Sequence, residues 1–196
     1  MPVLAVIAGP NGSGKTTFSN LWRHCLSYPL HNFPVSDPDD VMAVLTPNDP
    51  VAAGRLTPTD RQHMLKSGRS FAVETTLAGA STLKLMRQAR ERGYSVLLFY
   101  IALATPKLNL LRIRMRVAQG GHDVPQADVL RRARRSKANF MPALALSDRA
   151  WVVDNSGHQF ALGARSDGKS VKVLEGAPAW IRDLLRSIPN NAMRQA

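Results

Sequence analysis

A glycine-rich stretch near the start of the chain, GPNGSGKTT, has the composition and spacing of a phosphate-binding loop. It matches G-x-x-x-x-G-K-[ST], in which glycines let the backbone turn so tightly that successive N–H groups point at a phosphate. Lys15 can reach the β and γ oxygens of a nucleotide, and the Thr16 hydroxyl can ligate Mg²⁺. The residues predicted to bind nucleotide here are Gly9, Pro10, Asn11, Gly12, Ser13, Gly14, Lys15, Thr16 and Thr17.

Acidic side chains follow two later apolar runs. Asp37, Asp39 and Asp40 lie in SDPDD, and Glu74 lies in FAVETT. Because parallel sheets bind ligands at the carboxyl ends of their strands, one of the three aspartates is expected to face a phosphate acceptor as general base, while another caps a helix. Glu74 is expected at the same edge, where it either serves the site or is a buried structural carboxylate.

Basic residues are concentrated between Lys84 and Lys137, which hold 13 of the 26 Lys and Arg residues against three acids, in a chain of net charge +12. Cationic side chains stabilise charge on a transferring phosphoryl group, so we expect two or three to point at the phosphates. Nucleic-acid binding is the alternative, but the aromatic residues that base stacking needs are nearly absent here. The arginines that flank the GGHDVP turn are Arg112, Arg114, Arg116, Arg131, Arg132, Arg134 and Arg135.

The elements that must position these residues alternate between strand and helix. Residues 4–8 are wholly apolar, which is typical of a parallel strand covered on both faces. Further strands are predicted at residues 32–35, 70–73, 95–103 and 150–153. Helices are predicted at residues 16–26, 57–67, 81–92, 105–119, 124–146 and 178–188, with a small hairpin at residues 159–162 and 170–174. The prediction is an α/β fold: a P-loop kinase-like parallel sheet of about five strands with helices on both faces and a small C-terminal hairpin and helix.

The same pattern predicts one domain over residues 1–188 and a flexible tail over residues 189–196. The single cysteine, Cys25, excludes an internal disulfide and suits a reducing cytoplasm. No apolar run approaches the ~18 residues of a membrane span, and the start of the chain lacks the basic residues of a secretory signal. A cytoplasmic protein without a membrane partner is expected.

Missing motifs narrow the function. A switch GTPase should carry a guanine-reading N-K-x-D motif, and an ABC or AAA-type ATPase should carry an apolar run that ends in Asp-Glu; the sequence has neither. A small-molecule kinase remains the leading prediction. The alternatives are a nucleic-acid-associated NTPase or polynucleotide 5′-kinase, suggested by the net charge, and a noncatalytic nucleotide-binding module, in which the acids and the arginines would be idle.

An ordered set of motifs resembles the zeta toxins, specifically P-loop kinases of the compact chromosomal bacterial type. The motifs are GPNGSGKTT, DPDDV, FAVETTL, RVAQGGHDVP and RRARRSKANF. The resemblance implies a kinase that uses ATP and Mg²⁺ to phosphorylate the 3′-hydroxyl of the amino sugar in UDP-N-acetylglucosamine. It also implies a toxin whose protein partner is an antitoxin that covers the ATP site.

By position, the resemblance also implies roles for single residues. Asp39 becomes the base that activates the acceptor hydroxyl, and Glu74 and Thr76 become substrate-site residues. Arg116 becomes a catalytic phosphate-binding group. It is joined by one or more of Arg131, on the substrate side, and Arg132 and Arg135, on the ATP side.

Two further residues have two interpretations each. Asn155, at the end of the last predicted parallel strand, either touches adenine or forms an Asx turn. His122 in GGHDVP either contacts a phosphate or stabilises the turn. A metal site is not expected there, because no Cys or other His stands at ligand spacing from it.

Overall fold

The computed structural model describes residues 1–24, 35–36, 59–186 and 193–195, and its centre is a mixed β-sheet. The strands are β1 (Val3–Ala8), β2 (Val35–Ser36), β3 (Phe71–Thr75), β4 (Ser95–Ala102), β5 (Arg149–Asp154), β6 (Ala161–Ser166), β7 (Val171–Val173) and β8 (Met193–Gln195). The helices are α1 (Lys15–His24), α2 (residues 59–66), α3 (Ala80–Glu91), α4 (Pro106–Ala118), α5 (Gln126–Ala145) and α6 (Ala179–Leu185).

The strand order is β2-β3-β1-β4-β5-β6-β7-β8. The first five strands in this order are parallel, as the alternating pattern predicted. β6 and β7 form the predicted hairpin, but they continue the main sheet as antiparallel strands instead of standing apart from it. β8 pairs with β7 in a stretch for which the sequence predicts a flexible tail.

Both faces of the parallel sheet are buried, which is why its strands are apolar without alternation. On β1, Leu4 and Val6 belong to a core packed against α2, α3, α5 and α6. Ala5 and Ile7 point the other way, into a second core that includes Phe18 of α1. The predicted layers, with helices on both faces, are confirmed.

The strand register brings the ends of distant segments together. Ala8, the last residue of β1, pairs with Thr75 of β3 on one side and with Tyr100 of β4 on the other. Ala102, at the end of β4, pairs with Asp154 of β5. The chain therefore leaves β1, β3 and β5 along one edge of the sheet, where ligands of α/β proteins bind.

Turns at the far end of the sheet are stabilised locally. Between β6 and β7, the Asp167 carboxylate accepts hydrogen bonds from the backbone N–H groups of Ser170 and Lys169, at 2.8 and 3.0 Å. These hydrogen bonds favour the ionised form and lower the pKa of Asp167, the one from Ser170 most strongly. This hairpin end plays no part in the site described next.

Candidate active site

The phosphate loop, residues 9–17, has the conformation that its glycines predict. Gly9, Gly12 and Gly14 have φ values of 151°, 73° and 91°, which side-chain-bearing residues rarely adopt. A Cβ on Gly9 would overlap the carbonyl of Ile101 on β4. Helix α1 begins within this stretch, at Lys15, and the Phe18 N–H is bonded to the Gly14 carbonyl at 2.9 Å. The N-terminal N–H groups of the helix therefore face the same concavity.

A cavity of about 570 Å³ opens beside this loop. Its lining combines the loop, the end of β3, helices α4 and α5, and the loop that follows β5. The lining residues are Asn11, Gly12, Gly14, Lys15, Thr16, Thr17, Glu74, Thr75, Thr76, Arg112, Arg116, Arg132, Asn155, His158 and Phe160.

Glu74 lies where β3 meets the first turn of α1. Glu74 is 5% exposed, and its carboxylate accepts hydrogen bonds from the hydroxyls of Thr16, at 3.1 Å, and Ser19. The sequence placed Glu74 at this edge, and the structure brings it to the phosphate loop, with Thr76 lining the cavity beside it. Ser19 was not anticipated; its position one turn after Thr16 on α1 was the available signal.

Lys15 and Thr16 lie at the N-terminus of α1. The Lys15 ammonium donates a hydrogen bond to the Pro10 carbonyl at 3.1 Å, so the Lys15 side chain folds back onto the phosphate loop. Thr16 and Glu74 offer hydroxyl and carboxylate oxygens, the donor type that Mg²⁺ prefers. The chemistry of this pair therefore fits the predicted metal, whose ligand role for Thr16 stays a prediction.

Helix α4 contributes one face to the cavity. Asn109, Arg112 and Arg116 are spaced by three and four residues and so lie on the same side of the helix. Arg112 donates to the carbonyls of Asn155, at 2.6 Å, and Gly157, at 3.2 Å. Its place in the cavity was missed because it was treated only as one of seven arginines, although its spacing from Arg116 could have singled it out.

Arg116 lines the cavity, and it also stabilises the turn between α4 and α5; its predicted phosphate-binding role stays a prediction. Its guanidinium donates to the carbonyl of His122 at 2.6 Å. The His122 side chain is exposed and does not line the cavity, so its backbone, rather than its ring, has the role in the turn.

On helix α5 the structure separates three arginines that the sequence grouped. Arg132 lines the cavity, whereas Arg131 and Arg135 are exposed and do not. Val129 and Ser136 are buried on the same side of the helix as Arg132, which turns positions 131 and 135 outward. Arg131 is engaged with the Asp128 carboxylate at 2.9 Å, and Arg132 lies 3.8 Å from the same carboxylate.

Asn155 lies at the cavity wall, but its side chain is turned to the phosphate loop. The amide Nδ2 donates to the carbonyl of Ser13 at 2.9 Å, and the residue is 8% exposed. Asn155 thus contacts the nucleotide-binding loop, in a way that neither interpretation of the sequence included.

The end of the cavity near Gly14 is aromatic. Phe160 lines it together with His158, and Phe160 packs edge-on against Phe18, with ring centroids 5.5 Å apart. His158 and Phe160 lie in the connection between β5 and β6, at the edge of the sheet where the phosphate loop also lies. No local sequence signal could have identified them.

The predicted base lies outside the described residues, as do Asp37 and Asp40. The described strand β2 ends at Ser36, which pairs with Val73, the residue before Glu74. Asp39 is three residues beyond that strand end in sequence. Its role stays a prediction.

Two absences hold for the part of the chain that the structure describes. No three or more His, Cys, Asp or Glu side chains come together as a metal-binding group there. None of the helices there combines the length and apolar character that crossing a membrane requires.

Comparison with known proteins identifies the family. The family model described as Zeta toxin matches residues 49–162, more than half of the chain. An uncharacterized protein of Haemophilus influenzae is 32% identical over 122 residues, which are 60% of this chain and 83% of that protein.

Solved structures share the fold at low sequence identity. A crystal structure of AvrRxo1-ORF1:AvrRxo1-ORF2 with sulphate ions has a TM-score of 0.74 at 16% identity and covers 94% of this chain. A second, with ATP, has a TM-score of 0.70 at 16% identity and covers 88%. The chain spans 63% and 60% of the matched chains in these two structures.

A toxin–antitoxin structure is also similar. The structure of the PezAT chromosomal toxin-antitoxin system of Streptococcus pneumoniae has a TM-score of 0.59 at 20% identity, and covers 79% of this chain and 68% of that one. The family match, together with the phosphate loop and the cavity beside it, shows that this chain belongs to the zeta toxin family of P-loop kinases.

Proposed function

We propose that this chain is an ATP-dependent kinase that transfers the γ-phosphoryl group to a hydroxyl of a sugar nucleotide similar to UDP-N-acetylglucosamine. The observation that carries the proposal is that one cavity is lined both by the phosphate loop and by arginines from two different helices. The phosphate loop would bind a nucleoside triphosphate. The arginines would offset the negative charge of the transferring phosphoryl group and of a phosphorylated acceptor.

The charge balance of the cavity supports this proposal. Among the described residues that line the cavity, Lys15, Arg112, Arg116 and Arg132 carry positive charges, and Glu74 carries the one carboxylate. Polyphosphates are the ligands that such a surface attracts. A volume of about 570 Å³ lies within the range of small-molecule sites. The aromatic end near Phe160 suits a nucleobase, which would direct the triphosphate along the loop toward Glu74 and Thr76.

In the proposed reaction, the acceptor hydroxyl oxygen attacks the γ-phosphorus and forms a new P–O bond. The bond between that phosphorus and the β–γ bridging oxygen breaks, and ADP leaves. Asp39 takes the proton of the hydroxyl. Lys15 holds the β and γ oxygens, while Arg116 and Arg132 offset the charge on the equatorial oxygens of the transferring group.

Thr16 and Glu74 would hold the Mg²⁺ of the nucleotide. When it is bound, the ion neutralises charge on the β- and γ-phosphates. Because the Thr16 hydroxyl donates a hydrogen bond to Glu74, the lone pairs of the Thr16 oxygen are directed away from the carboxylate. Ser19 holds the second carboxylate oxygen, so the orientation of Glu74 is fixed from both sides.

A protein partner is part of the proposal. Two of the similar solved structures are complexes or systems of paired proteins, and one of them is described as toxin and antitoxin. We propose that this chain has an antitoxin partner and acts in the cytoplasm, where its nucleotide substrates are found.

The test is incubation of the purified chain with ATP, Mg²⁺ and a panel of acceptors, followed by mass spectrometry. The panel contains UDP-sugars, other nucleotides and an oligonucleotide with a free 5′-hydroxyl. The expected result is a gain of one phosphate on a UDP-sugar, and none with Lys15→Ala. Phosphorylation of the oligonucleotide alone would favour the polynucleotide kinase, and no acceptor-dependent loss of ATP would contradict the proposal.

A further inference from the structure

Two asparagine side chains from distant segments of the chain donate hydrogen bonds to the phosphate loop. Asn109 of α4 donates from Nδ2 to the carbonyl of Asn11 at 2.7 Å. Asn155, after β5, donates from Nδ2 to the carbonyl of Ser13 at 2.9 Å. Both are buried, at 2% and 8% exposure, so these hydrogen bonds are shielded from water.

Both hydrogen bonds end on backbone carbonyls of the loop and not on the N–H groups that a phosphate would touch. A loop that points its N–H groups inward must point the intervening carbonyls outward. A buried carbonyl without a partner costs free energy, so the loop needs donors behind it to hold this conformation. Asn109 and Asn155 are donors of this kind.

The two asparagines also explain the tightness of the loop. A Cβ on Gly14 would overlap the Asn155 amide nitrogen, and a Cβ on Gly12 would lie 2.8 Å from the Asn109 carbonyl. Both glycines therefore stand where the supporting segments approach most closely. The support and the loop are fitted to each other.

Arg112 joins the two supports. It shares a helix face with Asn109 and binds the carbonyls of Asn155 and Gly157. The first half of α4, the loop after β5 and the phosphate loop thus form one hydrogen-bonded unit.

We infer that Asn109 and Asn155 are positioning residues that hold the phosphate loop in its binding conformation before ATP arrives. This inference rests on the proposed ATP-dependent function. It assigns Asn155 to the support of the loop and not to recognition of adenine. When a loop is already ordered, binding does not have to supply the free energy of ordering it, so loss of either support should weaken binding of any polyphosphate.

The test compares three ligands by isothermal titration calorimetry: ATP and inorganic tripolyphosphate, each with Mg²⁺, and adenosine, which has no phosphate. The variants are Asn109→Leu and Asn155→Leu, which keep approximate volume and remove the donor. Loss of one such hydrogen bond predicts a Kd about 5- to 100-fold higher for both ATP and tripolyphosphate. Adenosine binding should change less than about twofold.

Asn139→Leu is the matched control. Asn139 is also a partly buried asparagine on a helix, and its Nδ2 donates to the carbonyl of Leu77 at 2.8 Å, outside the cavity lining. Its loss should lower the free energy of unfolding without changing the three affinities. Amide exchange without ligand gives a second readout: residues 11–16 should exchange faster in the two loop variants and unchanged in the control.

Several outcomes would overturn the inference. Weaker adenosine binding with unchanged tripolyphosphate binding in Asn155→Leu would assign that residue to the base. Unchanged tripolyphosphate binding in both variants would show that the loop orders itself without them. If either leucine variant does not fold, Asn109→Ala and Asn155→Ala are measured with the same expectations. Failure of the wild type to bind either polyphosphate would instead contradict the proposed function.

Discussion

The two sides of the cavity are held in different ways. The phosphate loop is held by buried groups: its own Ser13 is 0% exposed, and Asn109 and Asn155, which donate hydrogen bonds to the loop, are 2% and 8% exposed. Across the cavity, the side chain of Arg132 is 37% exposed, and it lies 3.8 Å from a carboxylate, Asp128, that is itself 33% exposed. One side is built into the core, and the other is at the surface.

The two kinds of attachment fit two different tasks. A loop that binds a donor phosphate benefits from fixed geometry, because ordering it on binding would weaken affinity. Exposed ion pairs contribute only about 0–1 kcal/mol, so an arginine held by one can exchange its partner for a phosphate at low cost. We therefore expect the loop to set affinity and the arginines to act mainly on the transferring group.

The largest expected effect concerns the proposed base. Asp39→Asn keeps the size of the proposed base but removes its basicity, so transfer should fall by roughly 10²–10⁴ while ATP binds nearly as before. The measurement is single-turnover transfer at saturating ATP, beside the ATP Kd. Asp37→Asn and Asp40→Asn are the matched controls and should do much less. A dead Asp40→Asn beside an active Asp39→Asn would move the base by one residue.

Lys15→Ala tests the fixed side. Removing the cation on the β and γ oxygens should lower transfer by at least about 100-fold, roughly 3 kcal/mol, while the fold survives. Circular dichroism and thermal unfolding check the fold, and kcat/KM checks the effect. Wild-type turnover in this variant would contradict the assignment of the loop.

The exposed side is tested by three arginine variants. Arg116→Ala and Arg132→Ala should each lower kcat by about 10- to 100-fold with little change in the Kd for ATP, because their contacts strengthen in the transition state. Arg135→Ala, on the outward face of the same helix as Arg132, should stay within about twofold. Equal losses in all three would mean that the arginines act only as a diffuse positive field.

The smallest effect concerns how the arginine-bearing helix α5 is attached. Tyr100 of β4 bonds Ser136 of α5 at 3.3 Å, and burial raises the pKa of Tyr100 to about 12 while this hydrogen bond acts in the opposite direction. The raised pKa means that the neutral phenol contributes its full stability below pH of about 10, and that this contribution is lost as the pH rises through about 12.

Tyr100→Phe removes this titration. The free energy of unfolding of the variant minus that of the wild type should therefore rise by roughly 2 kcal/mol between pH of about 9 and 12, because only the wild type loses stability through this titration. Urea unfolding at several pH values measures the difference, and turnover near neutral pH should stay within about twofold. A constant difference between the two proteins across that range would show that Tyr100 is not a buried titrating group.

The sequence predicted the buried side of this comparison better than the exposed side. The glycine loop and the apolar strands have local signatures, and the parallel sheet followed from their alternation with helices. The roles of Asn109 and Asn155 had no signature, because each is one polar residue whose partner is 98 or 142 positions away.

Among the arginines, helical spacing carried part of the answer. Burial of Val129, Ala133 and Ser136 determines which of Arg131, Arg132 and Arg135 turns inward, and that pattern could have been read from the apolar and small residues of α5. Phe160 could not have been found in the same way. It lies in the connection between β5 and β6, so its place at the cavity depends on how that connection turns and not on helical spacing.

We propose that one triphosphate lies between the two sides of the cavity. The most direct test is a crystal structure of the chain with Mg²⁺ and a non-hydrolysable ATP analogue. It should show the β- and γ-phosphates on the backbone N–H groups of the phosphate loop and on Lys15, the nucleobase at Phe160, and the γ-phosphate within reach of Arg116 and Arg132. A triphosphate bound elsewhere, or one that leaves Arg116 and Arg132 bonded to His122 and Asp128, would contradict the account.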